Sequence, residues 1–246
     1  MGVLVHCLTN DITDELVANA ILAVGGKPIM ADDPREFADL FPTTDVLLLN
    51  LGHLSLERES SMQQASDLAN HVHKQVVIDL VGYGISKTRN ILGDYLINNR
   101  PTIIKGNTAE IRRLCDLPTA GRGIDAADGE QTGAPLDELA TAMQAYILAH
   151  DKELVLVATG EIDLVVSATD VYHGVGGVAT MSQFVGSGDM IGGIIATFLG
   201  QGLSAFEASK KTIDMMNAAG EYADKHAQGA GSFRTYVIDA LSNQVI

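Results

Sequence analysis

Six short runs of apolar residues are spaced along the first 160 positions of the chain. They cover residues 4–9, 27–31, 45–52, 75–82, 101–107 and 153–160. Most of these runs are nearly continuous rather than alternating, which is typical of parallel strands covered on both faces. Segments of helical length separate most of them. The pattern therefore predicts a doubly wound α/β fold with a mostly parallel sheet.

The polar residues and glycines that flank the helical segments predict where three helices begin or end. The segment 14–26 finishes in two glycines, which favour a helix C-terminus. Ser55 precedes the segment 56–74 and is a candidate N-cap. Ser204 and Glu207 have the spacing of a capping box at the start of a long helix.

Two stretches interrupt the alternation of strand and helix. Residues 117–135 are polar, acidic and rich in glycine, so we expect a long surface loop there. Residues 161–177 contain two short apolar runs around a turn at residues 168–170. This second stretch predicts a hairpin that adds an antiparallel edge to the sheet.

Length and charge narrow the classes of function. A chain of 246 residues can bury one large core, so we expect a single domain over residues 1–246. The net charge of -15 argues against nucleic acid or an anionic membrane as a partner. The sequence shows neither a secretory signal nor an apolar run of about 20 residues, which favours a cytoplasmic protein. Cys7 and Cys115 have no metal-binding spacing, and we interpret them as small buried residues in a reducing compartment.

The segment FVGSGDMIGG, residues 184–193, places glycines and one carboxylate before an apolar helix. The free backbone N–H groups and the dipole of such a helix start favour an anion such as phosphate. The spacing is neither a Walker A loop nor a dinucleotide-binding fingerprint. Two roles remain open for Asp189: it caps the helix, or it accepts a proton from a hydroxyl group during phosphoryl transfer.

Nine short motifs along the chain resemble, in the same order, those of hydroxyethylthiazole kinases. These enzymes belong to the ribokinase-like superfamily and phosphorylate the alcohol of 5-(2-hydroxyethyl)-4-methylthiazole with ATP in thiamine salvage. The resemblance implies a three-layer α/β fold, with a mostly parallel central sheet, helices on both faces and an antiparallel edge. The motifs are VHCLTN with a later AN, PIMA, LNLG, IDLVGYG, KGNTAEI, GRGID, ATGEID, GSGD and GAGSF.

The resemblance also implies roles for individual residues. It makes Asp189 the catalytic residue, where the thiazole kinases usually have Cys and the wider superfamily has Asp. It implies homotrimers with active sites at subunit boundaries. The residues implied for ATP binding are Lys105, Asn107, Thr159 and the anion hole of Gly186, Ser187 and Gly188. Those implied for Mg²⁺ are Asp79 and Glu110. Those implied for the alcohol substrate are Met30, Gly186 and Asn19.

Simpler interpretations of some of these residues remain open. Asn107 and Glu110 have the spacing of a helix capping pair, and Met30 is compatible with ordinary core packing. Lys105 stands where the family usually has Arg, so a positive charge is kept without the bidentate fork. Family members usually carry a helix before the first strand, which leaves an upstream start open.

The chain departs from the family pattern in segments that form the thiazole pocket and the phosphate surroundings. The reaction type is therefore better determined than the substrate. The alternatives are a kinase of another small alcohol, such as a hydroxymethylpyrimidine, and a ligand-binding relative without activity. The departures are Asp14, Glu15, His53, Leu80 and Ile85.

Overall fold

A single eight-stranded sheet forms the centre of the molecule. The computed structural model describes residues 2–119 and 132–243. Within these residues the strands are β1 (Leu4–Leu8), β2 (Lys27–Met30), β3 (Val46–Asn50), β4 (Gln75–Asp79), β5 (Ile103–Asn107), β6 (Val155–Thr159), β7 (Asp163–Val166) and β8 (Val171–Gly174).

Helices connect the parallel strands and complete the chain after the hairpin. They are α1 (Asp14–Ala23), α2 (Phe37–Leu40), α3 (Leu56–His71), α4 (Lys87–Asn98), α5 (Thr108–Leu114), α6 (Ala134–His150), α7 (Ser187–Gly200), α8 (Ala205–His226) and α9 (Ala230–Asn243). Short 3-10 turns cover Pro34–Glu36 and Ala179–Gln183. No helix in the described part of the chain has both the length and the apolar character needed to cross a membrane.

The strands are arranged in the order β2-β1-β3-β4-β5-β6-β7-β8. Strands β1 to β6 run parallel to their neighbours, whereas β7 and β8 are antiparallel. The predicted mostly parallel sheet with an antiparallel edge is confirmed. The six predicted parallel strands also lie within their predicted ranges, and the hairpin turns where the sequence indicated.

Helices cover both faces of the sheet, which gives the predicted three layers. Successive residues of β3 show why the strand is apolar throughout: Val46 and Leu48 pack in one core, and Leu47 and Leu49 in the other. Helices α1, α7, α8 and α9 line the first core. Helices α3, α4, α5 and α6 line the second. A strand buried on both sides needs apolar side chains at every position.

The structure bears out the predicted helix ends. The Ser55 hydroxyl accepts a hydrogen bond from the Arg58 amide at 3.2 Å. The Ser204 hydroxyl accepts one from the Glu207 amide at the same distance. After α1, Gly25 adopts a φ of +85°, a backbone conformation that glycine reaches without strain.

The predicted loop at residues 117–135 lies mostly outside the described residues, since 120–131 are not described. Its two flanks are joined by one side chain. The Arg112 guanidinium donates to the carbonyl of Pro118 at 2.9 Å and to that of Pro135 at 3.2 Å. Helix α6 begins at Ala134, one residue before the predicted end of the loop.

Candidate active site

Polar side chains gather at the carboxyl edge of the parallel strands. Asn50 ends β3, Asp79 ends β4 and Lys105 lies near the end of β5, and the register pairs Asn50 with Asp79 and Asp79 with Lys105. The next pair along the same edge is Asn107 with Thr159. Ligands of open α/β sheets bind at this edge, because the strand ends and helix starts converge there.

Helix α7 begins at this edge with a glycine that no other residue could replace without strain. Gly186 is the N-cap and has a φ of +100°. A Cβ at this position would lie 2.6 Å from a methyl carbon of Leu16 and 2.8 Å from that of Thr13. The first intrahelical hydrogen bond runs from Met190 N–H to Gly186 O at 3.0 Å. The amides of the preceding residues in the first turn therefore have no partner within the helix and can bind an anion.

Asp189 is not a helix cap, so that interpretation of its role is wrong. The helix begins at Ser187, and Asp189 is its third residue. Its side chain accepts hydrogen bonds from other segments instead. Oδ2 accepts from Thr13 Oγ1 at 2.6 Å and from Asn10 Nδ2 at 3.0 Å, and Oδ1 accepts from Asn50 Nδ2 at 2.9 Å. These contacts fix the carboxylate beside the amides of the first turn.

Asp79 and Lys105 form a buried ion pair next to Asp189. The Lys105 ammonium lies 2.9 Å from Asp79 Oδ2, and both side chains are almost fully buried. Burial opposes the charge of Lys105, but the carboxylates around it outweigh this effect and raise the pKa of the ammonium group. Burial raises the pKa of Asp79 to about 7, helped by the repulsion from Asp189 and Glu110 and opposed by Lys105. Lys105 thus stays charged beside the carboxylates of Asp79, Asp189 and Glu110.

The Lys105 ammonium also lies close to the start of α7. A Cβ built on Gly188 would be 3.7 Å from Lys105 Nζ. The positive charge is therefore near the backbone amides of the first helical turn. A cation and a set of free amides at one place form a suitable environment for a phosphoryl group.

Glu110 ties two of the site loops together. Its Oε1 accepts from the Gly82 amide at 2.6 Å, and its Oε2 accepts from the Asn107 amide at 2.7 Å. The Asn107 side chain accepts in return from the Glu110 amide, so the capping pair is confirmed. Burial raises the pKa of Glu110 even though the two amides favour its charged form. Its role as a metal ligand stays a prediction.

Asp79 offers an oxygen that suits a hard cation. Its Oδ1 is buried and has no hydrogen-bond partner among the described residues. These residues also contain no group of three or more His, Cys, Asp or Glu side chains that could hold a metal by itself. Mg²⁺ fits such a site, because it is usually bound by one or two carboxylates and completes its shell with water and phosphate oxygens.

The predicted nucleotide and substrate residues lie on different elements of the fold. The Thr159 hydroxyl donates to Gly106 O at 3.4 Å at the end of β6. Met30 is the last residue of β2 and is 38% exposed. Asn19 lies within α1, and its side chain is not one of those that contact Asp189. Of the predicted substrate residues, Gly186 alone is in the segment that carries Asp189.

The polar side chains at the rim include one of the departures from the family pattern, His53. His53 Nδ1 lies 3.3 Å from Asp11 Oδ2. The Arg58 guanidinium donates to Asp11 at 3.1 Å and to Asp32 at 3.3 Å. Asp11 follows Asn10, which contacts Asp189, and His53 follows Gly52, which contacts Asn50, so this cluster adjoins the loops that hold Asp189.

Sequence reasoning assigned no role to three residues that contact Asp189. They are Asn10, Thr13 and Asn50, and each is at least 95% buried. The signal that could have identified Asn50 is an uncharged polar residue at the end of the apolar run LLLN, at the edge where ligands bind. Asn10 lies two residues beyond the end of β1, at the same edge. Thr13 has no comparable signal, because it lies in the turn before α1.

Comparisons with known proteins agree with this geometry. A sequence model described as the hydroxyethylthiazole kinase family matches residues 2–245. A protein of Enterococcus faecalis named hydroxyethylthiazole kinase is 43% identical over 239 residues, which cover 97% of this chain and 88% of that protein.

Solved structures give the same picture of the fold. The structure of a hydroxyethylthiazole kinase protein from Pyrococcus horikoshii aligns with a TM-score of 0.86 and 25% identity, over 98% of this chain and 87% of that one. A ribokinase-like superfamily protein from Enterococcus faecalis aligns with a TM-score of 0.71 and 16% identity, over 99% and 86%. The second match concerns the fold alone.

Proposed function

The chain belongs to the hydroxyethylthiazole kinase family, and on this premise we propose that it transfers the γ-phosphoryl group of ATP to the hydroxyl of 5-(2-hydroxyethyl)-4-methylthiazole. The observation that carries this proposal is the position of Asp189. Its carboxylate is fixed by Asn10, Thr13 and Asn50 beside the free amides that begin α7. A proton acceptor and an anion site side by side are what the transfer of a phosphoryl group to an alcohol needs.

Asp189 acts as the general base in this proposal. The hydroxyl oxygen of the substrate forms a bond to the γ-phosphorus while its proton passes to the carboxylate. The bond between that phosphorus and the bridging oxygen breaks, and its electron pair leaves with ADP. The amides of Ser187 and Gly188 and the charge of Lys105 stabilise the negative charge that spreads over the transferring group.

The remaining nucleotide contacts are assigned to residues further along the edge. Thr159 ends β6 beside Asn107, and four strands separate β6 from β2, which Met30 ends. We assign both residues to ATP binding. Because the reaction consumes ATP, we place the protein in the cytoplasm.

We include Mg²⁺ in the proposed reaction because Asp79 Oδ1 has no hydrogen-bond partner in the part of the chain that the structure describes. Bound there, the ion would neutralise part of the charge on the phosphates. Glu110 would contribute to the ion's surroundings, while its two oxygens keep the loops at Gly82 and Asn107 in place. Three carboxylates act on Lys105, those of Asp79, Asp189 and Glu110, so a single ammonium group leaves negative charge for a cation to offset.

The alcohol would bind in front of Asp189, with Gly186 and Asn19 on one side and Met30 toward a second subunit. We propose a homotrimer in which subunit boundaries complete the pockets. Exposed apolar side chains support this arrangement, because Met30 ends β2 and Ile12 and Leu56 follow the neighbouring strands β1 and β3. An exposed apolar cluster of this kind is typical of a protein interface.

The test measures phosphorylation of hydroxyethylthiazole by the purified protein with ATP and Mg²⁺. ADP release and the mass of the product report the reaction, and 4,5-dimethylthiazole, which has no hydroxyl, is the matched control. We expect a phosphate ester with the first compound only. The ion-pair cluster of Asp11, His53 and Arg58 at the rim favours one competitor, a more polar alcohol. A hydroxymethylpyrimidine is therefore assayed in parallel, and turnover of that compound alone would contradict the substrate assignment.

A further inference from the structure

Asn50 makes four hydrogen bonds at the centre of the site, although it is 98% buried and carries no charge. Its Nδ2 donates to Asp189 Oδ1 at 2.9 Å and to Asp79 Oδ2 at 3.2 Å. Its Oδ1 accepts from the Gly52 amide at 2.8 Å and from Asn10 Nδ2 at 3.2 Å. Both hydrogens and the carbonyl oxygen of the side chain are therefore in use.

The orientation of this amide is fixed by its neighbours. The backbone N–H of Gly52 can only donate, so the oxygen of Asn50 must face it. The NH₂ group then has to face the carboxylates of Asp79 and Asp189. A Cβ at position 52 would lie 2.6 Å from Asn10 Nδ2 and 2.8 Å from Asn50 Oδ1, so a glycine there leaves room for both amides.

The two carboxylate oxygens of Asp189 accept different numbers of hydrogen bonds from these side chains. Oδ2 accepts from both Thr13 and Asn10, whereas Oδ1 accepts from Asn50 alone among the described residues. Oδ1 therefore has the greater remaining capacity to accept a proton. Asn50 is also the residue that separates this oxygen from the second carboxylate, that of Asp79.

We propose that Asn50 is a positioning residue for phosphoryl transfer, and that its amide directs Asp189 Oδ1, rather than Oδ2, toward the substrate hydroxyl. The inference rests on the proposed function. The proton of the hydroxyl passes to Oδ1 as the oxygen bonds to the γ-phosphorus and ADP departs. Strand β3 is the place for such a residue, because it lies between β1 and β4 and so reaches both the Asn10 loop and Asp79.

The alternative is that Asn50 only stabilises the turn at Gly52. Asn50→Asp separates the two roles, because an aspartate keeps an oxygen for the Gly52 amide and loses the donor to the carboxylates. Asn99→Asp is the matched control. Asn99 Nδ2 donates to Asp67 Oδ1 at 2.8 Å at the end of α4, outside the site.

For Asn50→Asp we expect kcat for the alcohol to fall by about 10- to 100-fold, since small displacements of reacting groups cost rates of this order. The KM for ATP should change by no more than about threefold, because the donor acts on the proton acceptor and not on the nucleotide. Asn99→Asp should keep the kcat of the wild type. A folded Asn50→Asp variant with wild-type kcat would overturn the proposal.

A double-mutant cycle with Asp189→Asn tests whether Asn50 affects kcat through Asp189. If Asn50 acts through Asp189, adding Asn50→Asp to Asp189→Asn should lower kcat by less than about threefold further. Full additivity of the two losses would show that Asn50 acts structurally and would overturn the inference. Asn50→Ser, which keeps an oxygen and one hydroxyl proton, enters the same cycle if the aspartate variant does not fold.

The wild-type assay distinguishes this inference from the proposed function. Wild-type turnover with hydroxyethylthiazole together with an unaffected Asn50→Asp variant contradicts the positioning role alone. Turnover of a different alcohol contradicts the substrate assignment, and the cycle is then measured with that alcohol. A wild-type protein that phosphorylates no alcohol overturns both.

Discussion

Asp189 is a carboxylate at a helix start that does not cap the helix. Three side chains, two from the loop after β1 and one from the end of β3, hold it instead. A helix cap would bind its own backbone, and its loss would cost stability rather than rate. The contacts of Asp189 therefore support a chemical role.

Asp189→Asn should lower kcat by about 10² to 10⁴, the usual contribution of a positioned general base. The affinity for ATP should change little, because the variant keeps the helix amides and Lys105. Initial rates and calorimetric titration with a non-hydrolysable nucleotide measure the two effects. Asp189→Cys should retain part of the activity, because a thiol can also accept a proton here. Unchanged turnover in Asp189→Asn would exclude the general-base role.

Asp163 is another buried carboxylate, and we expect it to make stability depend on pH. It begins β7, where it accepts from the Gly160 amide at 3.0 Å and from Asn217 Nδ2 at 3.3 Å. Burial raises its pKa to about 6 despite these donors. The folded protein therefore binds this proton more tightly than the unfolded chain does, and stability is lost as the pH rises from about 4 to about 6.

Asp163→Asn should remove this loss. We expect the free energy of unfolding of the variant, relative to the wild type, to increase by on the order of 2 kcal/mol between pH 4 and pH 7. Urea unfolding across this range measures the difference. Asp39→Asn, at an exposed position on α2, is the control and should follow the wild-type curve. If the free energies of unfolding of Asp163→Asn and the wild type changed equally with pH, the prediction would be wrong.

At the scale of elements, the start of α7 joins the anion site to the packing of α1. Gly186 lies against Leu16 and Thr13, and Thr13 in turn donates to Asp189. A side chain added at Gly186 would therefore displace Thr13, which contacts the Asp189 carboxylate directly. Helix α7 is also the element that packs against both α1 and the central strands of the sheet.

Gly186→Ala should destabilise the protein by about 1–3 kcal/mol, because alanine is strained at a φ of +100° and its Cβ has no room. We also expect kcat to fall, since Thr13 must move. Thermal unfolding and the kinase assay measure the two effects. Gly231→Ala in the first turn of α9 is the control; its Cβ would meet no atom within 4 Å, so its stability should equal or slightly exceed that of the wild type. A Gly186→Ala protein as stable as the wild type would be the contrary result.

At the scale of the whole molecule, the exposed apolar residues at the carboxyl edge of the sheet predict an oligomer. Leu56 is 83% exposed, and Ile12 is 75% exposed. Both lie at the same edge of the sheet as Met30. Association there would bury this cluster and close the pocket in front of Asp189.

Sedimentation velocity at micromolar concentration should therefore give the mass of three chains. Leu56→Asp should shift the protein toward the monomer and reduce activity with it, because a buried unpaired charge opposes association. Leu148→Asp is the matched control, since Leu148 is 51% exposed near the C-terminal end of α6, at the opposite edge of the sheet. A wild-type monomer with full activity would contradict the trimer.

Much of the fold is predictable from the sequence because each parallel strand is buried on both faces. The run LLLN in β3 shows this, since Leu47, Leu48 and Leu49 are all buried and alternate between the two cores. Capping residues such as Ser55 and Ser204 act on amides three positions away, so their effects can also be inferred locally.

The contacts of the candidate site are not predictable in this way. Asn10 and Asn50 bind Asp189 across 179 and 139 positions of sequence. The order of the strands decides which loops are neighbours, and this order places β3 between β1 and β4. Spacing along the chain contains no information about such pairs.

The sequence by itself determined the alternation of strands and helices, the antiparallel edge and the glycine-rich helix start that carries Asp189. These features depend on local burial patterns and on backbone conformations that few residues adopt. Only the tertiary structure decided that Asp189 is held by Asn10, Thr13 and Asn50 rather than acting as a cap, and that Lys105 pairs with Asp79. The reason is physical: buried polar groups must find partners, and the packing of the sheet selects which distant groups are within hydrogen-bonding distance.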